Sequence, residues 1–203
     1  MKNTSFSTLI FLIVFNHSIE RTMSQTSDSI NIGETFIPAG YMGCPGNITI
    51  DRGWSINPKS PPVCFKCTYP ETCPSRYAGV YWTNIADPSG ANWGQHPGQS
   101  YSIEYSRIVF WARGEKGGEI IEFGAFGINN PQQNPDRFPF KDNCHKVTIS
   151  DGFVVLTKTW TRYIINLTCK NFTSVIGGFY WSASWDSNPS GLTFYLDDIK
   201  LLR

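Results

Sequence analysis

The sequence is poor in charge and nearly lacks histidine. Asp, Glu, Lys and Arg make up 16% of the 203 residues, against about a quarter in an average globular domain, and the net charge is +1. This charge gives no global attraction to nucleic acid or to an anionic membrane, so neither is an expected partner. The three histidines are scattered, and the chain has no serine-hydrolase elbow, phosphate-binding loop or His-Glu-x-x-His motif.

The sequence also lacks a hydrophobic run long enough to span a membrane. Its clearest apolar run, Leu9 to Phe15, is far shorter than the roughly 20 residues that a spanning helix needs. Lys2 precedes this run, as in a secretion signal. We therefore predict a signal peptide over 1–24, a flexible lead-in over 25–33 and one exported domain over 34–203, with an uncleaved leader as the alternative.

Six cysteines support an exported protein. An even number in such a chain indicates disulfides, and six cysteines allow 15 connectivities. Cys67 with Cys73 would close a small local loop, and Cys144 with Cys169 is a second candidate pair. The alternative is a zinc site formed by Cys64, Cys67 and Cys73 together with Cys44.

What the chain has in abundance is aromatic residues, at 15%, between frequent Gly, Pro, Asn, Ser and Thr. Short apolar or alternating segments between turn residues are typical of strands. We predict one short helix at Asn171–Val175, a hairpin turn at 114–118 and an all-β fold, a two-sheet antiparallel β-sandwich (jelly roll) in a single domain. The nine predicted strands are Asn47–Asp51, Val63–Thr68, Gly79–Thr83, Arg107–Ala112, Glu119–Phe126, Lys146–Ser150, Thr161–Leu167, Gly178–Ser184 and Thr193–Leu201.

Six motifs occur in an order that resembles a galactose-binding-like β-jelly-roll, the kind used as a carbohydrate-binding module in exported proteins. The resemblance covers roughly residues 36–202. It implies a non-catalytic sandwich that often holds a structural calcium and often binds glycans on a concave face. One departure is Cys44, which stands where similar proteins tend to carry an acidic residue. The motifs are Tyr41-Met42-Gly43, Tyr77 to Trp82, Asn92-Trp93-Gly94, Phe110 to Glu115, Val175 to Phe179 and Phe194 to Ile199.

Tryptophans are the first candidates for a ligand site, because an exposed ring is a flat platform for a sugar. Strand alternation assigns Phe110 and Ala112 to the core and directs Trp111 and Arg113 outward. The alternative is that most rings are core, yet we expect at least one tryptophan outside β-strand 107–112 to be exposed. The candidates for that position are Trp82, Trp93 and Trp185.

Two carboxylates, Glu119 and Glu122, invite a glycosidase interpretation, because two such groups can divide the acid and base roles. Residues three apart point to opposite faces of a regular strand, which argues against it. We expect Glu122 to pair with Arg113 across the hairpin, and we keep Glu122 as a candidate ligand-binding acid.

Asp197 and Asp198 interrupt an apolar last strand, and one of them must lie near the edge of the core. A buried carboxylate needs a partner charge or a metal, and calcium prefers oxygen ligands. We predict a structural calcium there, and the resemblance points to Asp197 as the better ligand. The alternative is that Lys200, Arg203 or backbone N–H groups satisfy the carboxylates.

Together these features predict an exported, non-catalytic β-sandwich that binds polysaccharide or glycan through an aromatic platform, with a separate glycan-active enzyme as a candidate partner. A surface adhesion subunit that uses the same face for protein contacts is the first alternative. A small polysaccharide hydrolase is the second.

Overall fold

The computed structural model describes residues 28–70, 74–87, 90–101, 104–128, 136–169 and 171–203. The predicted signal peptide, 1–24, and the start of the predicted lead-in lie outside these residues. No helix in the described part of the chain is long and apolar enough to cross a membrane.

The described residues form fourteen strands, one four-residue α-helix, α1, at Ile32–Thr35, and one 3-10 helix at Pro45–Asn47. The strands are β1 Ser29–Asn31, β2 Ile37–Met42, β3 Thr49–Trp54, β4 Cys64–Tyr69, β5 Tyr77–Thr83, β6 Ala86–Asp87, β7 Gly90–Ala91, β8 Arg107–Gly114, β9 Ile120–Ala125, β10 Val147–Thr148, β11 Val154–Val155, β12 Thr161–Asn166, β13 Gly177–Ser184 and β14 Leu192–Leu202.

Two antiparallel six-stranded sheets carry the fold. The first sheet has the order β12-β8-β14-β4-β3, with β1 paired to β14. The second has the order β10-β9-β13-β5-β2, with β11 paired to β9. The predicted single-domain β-sandwich is therefore confirmed.

The core lies between the sheets, where strand alternation points one side chain in two inward. Aromatic rings fill it, packed edge to face, as between Phe110 and Phe123, whose ring centroids are 4.9 Å apart. Each such ring stabilises the fold by about 1.5–3 kcal/mol relative to an exposed position. The largest fully buried side chains that the two sheets contribute to this core are Trp82, Trp181, Tyr69, Phe110, Phe123, Phe179 and Phe194.

All nine predicted strands are present, with ends shifted by a few residues. The predicted helix at Asn171–Val175 is wrong, because these residues form bends and an isolated bridge, whereas the helix lies at Ile32–Thr35. Strand β1, at Ser29–Asn31, falls inside the predicted lead-in of 25–33 and pairs with β14, so paired β-structure begins before residue 34.

The turn at 114–118 does not form the predicted hairpin. Strands β8 and β9, which it joins, belong to different sheets, so the chain crosses the end of the sandwich there. Strand β8 pairs instead with β12 and β14, which are distant in sequence. Gly117 and Gly118 allowed the sequence to predict a turn, but not the sheet that the chain enters after it. Strand pairing decides that sheet.

The structure confirms one of the two predicted disulfides. Cys144 and Cys169 form a disulfide with their Cα atoms 5.6 Å apart, as predicted. The predicted Cys67–Cys73 bridge is wrong, because Cys67 is a buried free thiol, as is Cys64. Cys44 is disulfide-bonded, which removes it from the alternative zinc site. Cys73 lies outside the described residues.

Candidate functional site

The predicted ligand-binding residues do not share one surface. Trp82 is 0% exposed and lies in the core, edge-on to Phe65 and Phe179, so its assignment to a binding face is wrong. Trp111 and Arg113 lie on the outer face of the first sheet, as strand alternation predicts. The other three, Trp93, Glu122 and Trp185, belong to the second sheet or its flanking loops. Trp93 and Trp185 are half-buried and Trp82 is buried, so the expectation that at least one of these three tryptophans is exposed is wrong.

The outer face of the second sheet carries a small aromatic cluster of its own. Tyr81 and Tyr180 occupy paired positions on β5 and β13, with ring centroids 4.8 Å apart. Trp93 meets the Tyr81 ring edge-on at 5.8 Å. Ile128 and Ile176 complete this cluster, which is separate from the main core.

Glycines on the neighbouring strands let these rings lie flat. Gly124 pairs with Tyr180, and a Cβ at this glycine would come within 2.4 Å of the Tyr180 ring. On the other side, Gly40 pairs with Tyr81, and a Cβ there would lie 3.1 Å from the Trp93 ring. The two glycines therefore hold the rings along the sheet rather than upright on it.

The next row of paired residues across the same strands has no aromatic side chain. Met42, Gly79, Ser182 and Glu122 follow one another on β2, β5, β13 and β9. Tyr77, which is 48% exposed, lies one row further along β5. We call this surface the tyrosine groove: a floor of Met42, Gly79, Ser182 and Glu122 between the tyrosine pair, Tyr81 with Tyr180, and the exposed Tyr77.

Glu122 is fixed at one end of the tyrosine groove. Its Oε1 atom accepts hydrogen bonds from the Tyr180 hydroxyl at 2.7 Å and from the Lys146 ammonium at 2.8 Å. The Lys146 ammonium also lies 4.7 Å from the centre of the Tyr180 ring. Burial and the adjacent Glu122 raise the pKa of Tyr180, so this phenol stays a donor to the carboxylate.

Buried polar side chains hold the loops beyond the tyrosine pair. Asp142 is 3% exposed and accepts hydrogen bonds from the backbone N–H groups of Ile128, Ile176 and Gly177. Burial raises its pKa to about 6, and these backbone donors offset only part of that rise. Asn92, also buried, accepts from the N–H groups of Gly94 and His96 and so shapes the loop that carries Trp93.

The outer face of the first sheet carries a different arrangement. Trp54, Lys66, Tyr195, Arg113 and Trp160 follow one another across the sheet, and we call them the cation–aromatic row. The Arg113 guanidinium lies 3.7 Å from the centre of the Tyr195 ring and 5.2 Å from that of Trp160. Trp111, on the same strand as Arg113, is covered by Lys59 at 4.2 Å.

The glutamates do not form a catalytic pair. Glu119 is 7% exposed and accepts a hydrogen bond from the N–H of Lys116, which caps the connection between the sheets. Glu122 instead faces the tyrosine groove. The predicted ion pair between Glu122 and Arg113 is also wrong, because the two residues lie on different sheets and Glu122 pairs with Lys146.

Asp197 and Asp198 lie at a bulge in β14, where the backbone of Asp198 is left-handed (φ 49°). Asp197 is 8% exposed, and its oxygens accept from the N–H groups of Ser60 and Asp198. Asp198 accepts from the Ser60 hydroxyl and pairs with Lys200 at 3.0 Å. Burial raises the pKa of Asp197. Burial also acts on Asp198, but Ser60 and Lys200 outweigh it and lower that pKa.

These contacts satisfy the two aspartates without an ion. All four carboxylate oxygens have partners within the chain, and a calcium ion there stays a prediction. Nowhere in the described ranges do three or more Asp, Glu, His or Cys side chains converge as a metal site. The predicted alternative, in which Lys200 and backbone N–H groups satisfy the carboxylates, describes the structure.

Solved structures show what this sandwich is similar to. A family 30 carbohydrate-binding module matches with a TM-score of 0.53 and 13% identity, over 85% of this chain and 97% of the other. The fold is that of a carbohydrate-binding module. A family 11 carbohydrate-binding module from Clostridium thermocellum, solved with a β-1,3-1,4-mixed-linked tetrasaccharide, matches this module-like domain with a TM-score of 0.52 and 12% identity, over 86% of this chain and 94% of the other.

The resemblance seen in the sequence is thus confirmed at the level of the fold. A further family 30 module, from the C. thermocellum cellulosomal cellulase Cel9D-Cel44B, has a TM-score of 0.51 and 13% identity, over 82% of this chain and 91% of the other. No protein-family model and no curated protein matches the sequence itself.

Sequence reasoning missed the tyrosine groove. The alternation of Tyr77, Gly79 and Tyr81 against Ala78, Val80 and Trp82 on β5 was visible, but either set could have faced the core. Gly79, between Tyr77 and Tyr81, was the available signal. A glycine between two large rings would leave a cavity in a core, which favours this face of β5 as the outer one. Tyr180 and Lys146 had no local signal, since they reach Glu122 only through strand pairing.

Proposed function

We propose that this protein binds polysaccharide or glycan in the tyrosine groove, without chemical turnover. The observation that carries the proposal is the groove itself, a row without aromatic side chains that crosses four adjacent strands and has a fixed acid at one end. A linear chain of sugars lying across the strands would meet the half-buried Met42 and Ser182 beneath it and the Tyr77 ring beside it.

Each part of the groove has a chemical role in this proposal. The exposed Tyr77 ring offers an apolar face to sugar C–H groups. Glu122 Oε1 is occupied by Tyr180 and Lys146, and Oε2 is the oxygen that we assign to a sugar hydroxyl. Because the acid is held by two partners, it loses little side-chain freedom when a ligand binds.

The loop tryptophans extend the proposed site beyond the groove. Trp93 packs against Tyr81 at the side of β2, and Trp185 follows the end of β13 under the Arg76 guanidinium, 4.5 Å from the ring centre. We propose Trp93 and Trp185 as flanking contacts for a longer glycan. Trp82 is left out because it is core, and Trp111 and Arg113 because they face away from the groove.

Export is part of the proposal, supported by the signal-like sequence at 1–24 and by the Cys144–Cys169 disulfide. A separate glycan-active enzyme as partner stays a prediction. A structural calcium at Asp197 and Asp198 is not part of the proposal, because both carboxylates are satisfied by the chain.

A glycan array of the secreted protein, followed by calorimetric titration of the best oligosaccharide, tests this function. The mixed-linked glucan tetrasaccharide is the first oligosaccharide to titrate. We expect Tyr77→Ala and Glu122→Gln each to weaken binding about tenfold, since each removes one contact of 1–2 kcal/mol. Phe153→Ala is the matched control, because Phe153 has a similar exposure, 52%, and lies outside the groove. Absence of glycan binding by the wild type would refute the proposal.

A further inference from the structure

The cation–aromatic row on the first sheet is a second surface with recognisable chemistry. Three of its members occupy neighbouring strand positions, because Tyr195 pairs with Lys66 on one side and with Arg113 on the other. Trp54 and Trp160 adjoin them through their ring contacts with Lys66 and Arg113. Trp54 ends the row on β3, and Trp160 ends it just before β12. The row therefore runs across the whole width of the sheet, on the side opposite the tyrosine groove.

Rings and cations alternate along this row. The Lys66 ammonium lies 4.0 Å from the centre of the Trp54 ring and 6.0 Å from that of Tyr195. Arg113 lies between the rings of Tyr195 and Trp160. Packing against an aromatic face fixes each cation without neutralising it, because the ring supplies no formal charge.

Carboxylates do not neutralise these cations. Within the described residues, the salt bridges involve Arg76, Lys146, Lys200 and Arg203, and none involves Lys59, Lys66 or Arg113. The Arg113 Nε atom is buried and has no hydrogen-bond partner in the described chain.

Four acids lie near the row, and none of them forms an ion pair with Lys66 or Arg113. Glu115 accepts a hydrogen bond from the Tyr195 hydroxyl at 3.3 Å. Asp51, which pairs across the strands with Lys66, accepts from the N–H of Gly53. Asp197 and Asp198 are held by Ser60 and Lys200. The row therefore presents two cations, each held against an aromatic ring, beside half-buried indole rings.

We propose that the cation–aromatic row binds an acidic polysaccharide, through its carboxylate or sulfate groups. Lys66 and Arg113 lie two strands apart, about 10 Å by ordinary strand spacing, so they suit a polymer with repeated charges. Trp54 and Trp160 beside them are half-buried and add apolar aromatic surface, which suits the C–H faces of sugar rings that an acidic peptide lacks. This surface is independent of the tyrosine groove, and its ligand differs in charge.

Dextran sulfate and polygalacturonate, each compared with neutral dextran, are the probes. We expect the two acidic polymers, but not dextran, to bind the folded protein, and added salt to weaken that binding. Lys66→Gln and Arg113→Gln should each weaken it about tenfold, as expected for loss of a charged hydrogen bond. Arg113→Lys, which keeps the charge but loses the planar stacking, should lie between wild type and Arg113→Gln.

Lys141→Gln is the matched control, because Lys141 is exposed, carries the same charge and lies off the row. Thermal melting of each variant checks that it is folded, and the exposed Lys59→Gln serves if Arg113→Gln does not fold. An equal loss with Lys141→Gln, equally tight binding of poly-glutamate, or no binding of either acidic polymer would overturn the proposal. The Lys66 and Arg113 variants should bind the neutral tetrasaccharide as tightly as the wild type does. That measurement tests the groove proposal independently of the row proposal.

Discussion

Tyr180 and Glu122 lie on neighbouring strands of the second sheet, and the Tyr180 hydroxyl donates to Glu122 Oε1 at 2.7 Å. The Tyr180 ring meanwhile lies flat over Gly124, the residue with which it pairs. One buried tyrosine thus supports the floor of the groove and fixes the acid at its end. This pair links the packing of the sheet to the proposed binding of glycans.

The first prediction concerns this hydrogen bond. Tyr180→Phe keeps the ring over Gly124 but removes the donor, so the free energy of unfolding should fall by about 1–2 kcal/mol. Urea denaturation measures the change. Tyr77→Phe is the control, because Tyr77 is half-exposed, and its stability should stay within about 0.5 kcal/mol of wild type. An unchanged stability in Tyr180→Phe would show that the bond contributes nothing net.

The second prediction separates core from binding surface. Trp82→Ala should lower the free energy of unfolding by about 3–5 kcal/mol, because it empties a fully buried site between Phe65 and Phe179. Trp93→Ala, at a half-buried site, should cost clearly less. Urea denaturation of both variants measures this difference. Equal and small losses would place Trp82 at the surface, contrary to the structure.

The third prediction is a pH dependence from Asp142. Its pKa rises from an ordinary value near 4 in the unfolded chain to about 6 in the folded protein, so the folded state binds more protons between these values. The contribution of Asp142 to stability is therefore largest below pH 4 and falls as pH rises through 6, by up to about 3 kcal/mol.

Urea denaturation between pH 4 and pH 7 checks this contribution by comparing wild type with Asp142→Asn. The wild type should lose stability with rising pH relative to the variant, which cannot ionise at this position. Parallel curves for the two proteins would contradict a raised pKa at Asp142.

The fourth prediction concerns calcium. Because Ser60 and Lys200 satisfy Asp197 and Asp198, the melting temperature should be the same in calcium and in a chelator. Lys200→Met removes the ion pair with Asp198. Because this pair is partly exposed, its loss should destabilise the protein by up to about 1 kcal/mol. A melting temperature that rises with calcium would restore the structural calcium predicted from the sequence.

The strands could be read from the sequence because alternation is a local property. Trp111 and Arg113 were assigned to the outside, and Phe110 and Ala112 to the core, from their order alone, and the structure agrees. The same reasoning failed at Trp82, because the other face of β5 offered equally large apolar side chains. Local order could not tell which face of β5 the first sheet would cover.

The sequence by itself determined the class of fold and the positions of nine of the strands, since strand periodicity and turn chemistry act over a few residues. Tertiary structure alone decided that β8 and β9 belong to different sheets, and so that Arg113 and Glu122 never meet. It also gathered Gly40, Gly79 and Gly124 on one face. Strand pairing joins residues that are distant along the chain, and no local pattern encodes that choice of partner.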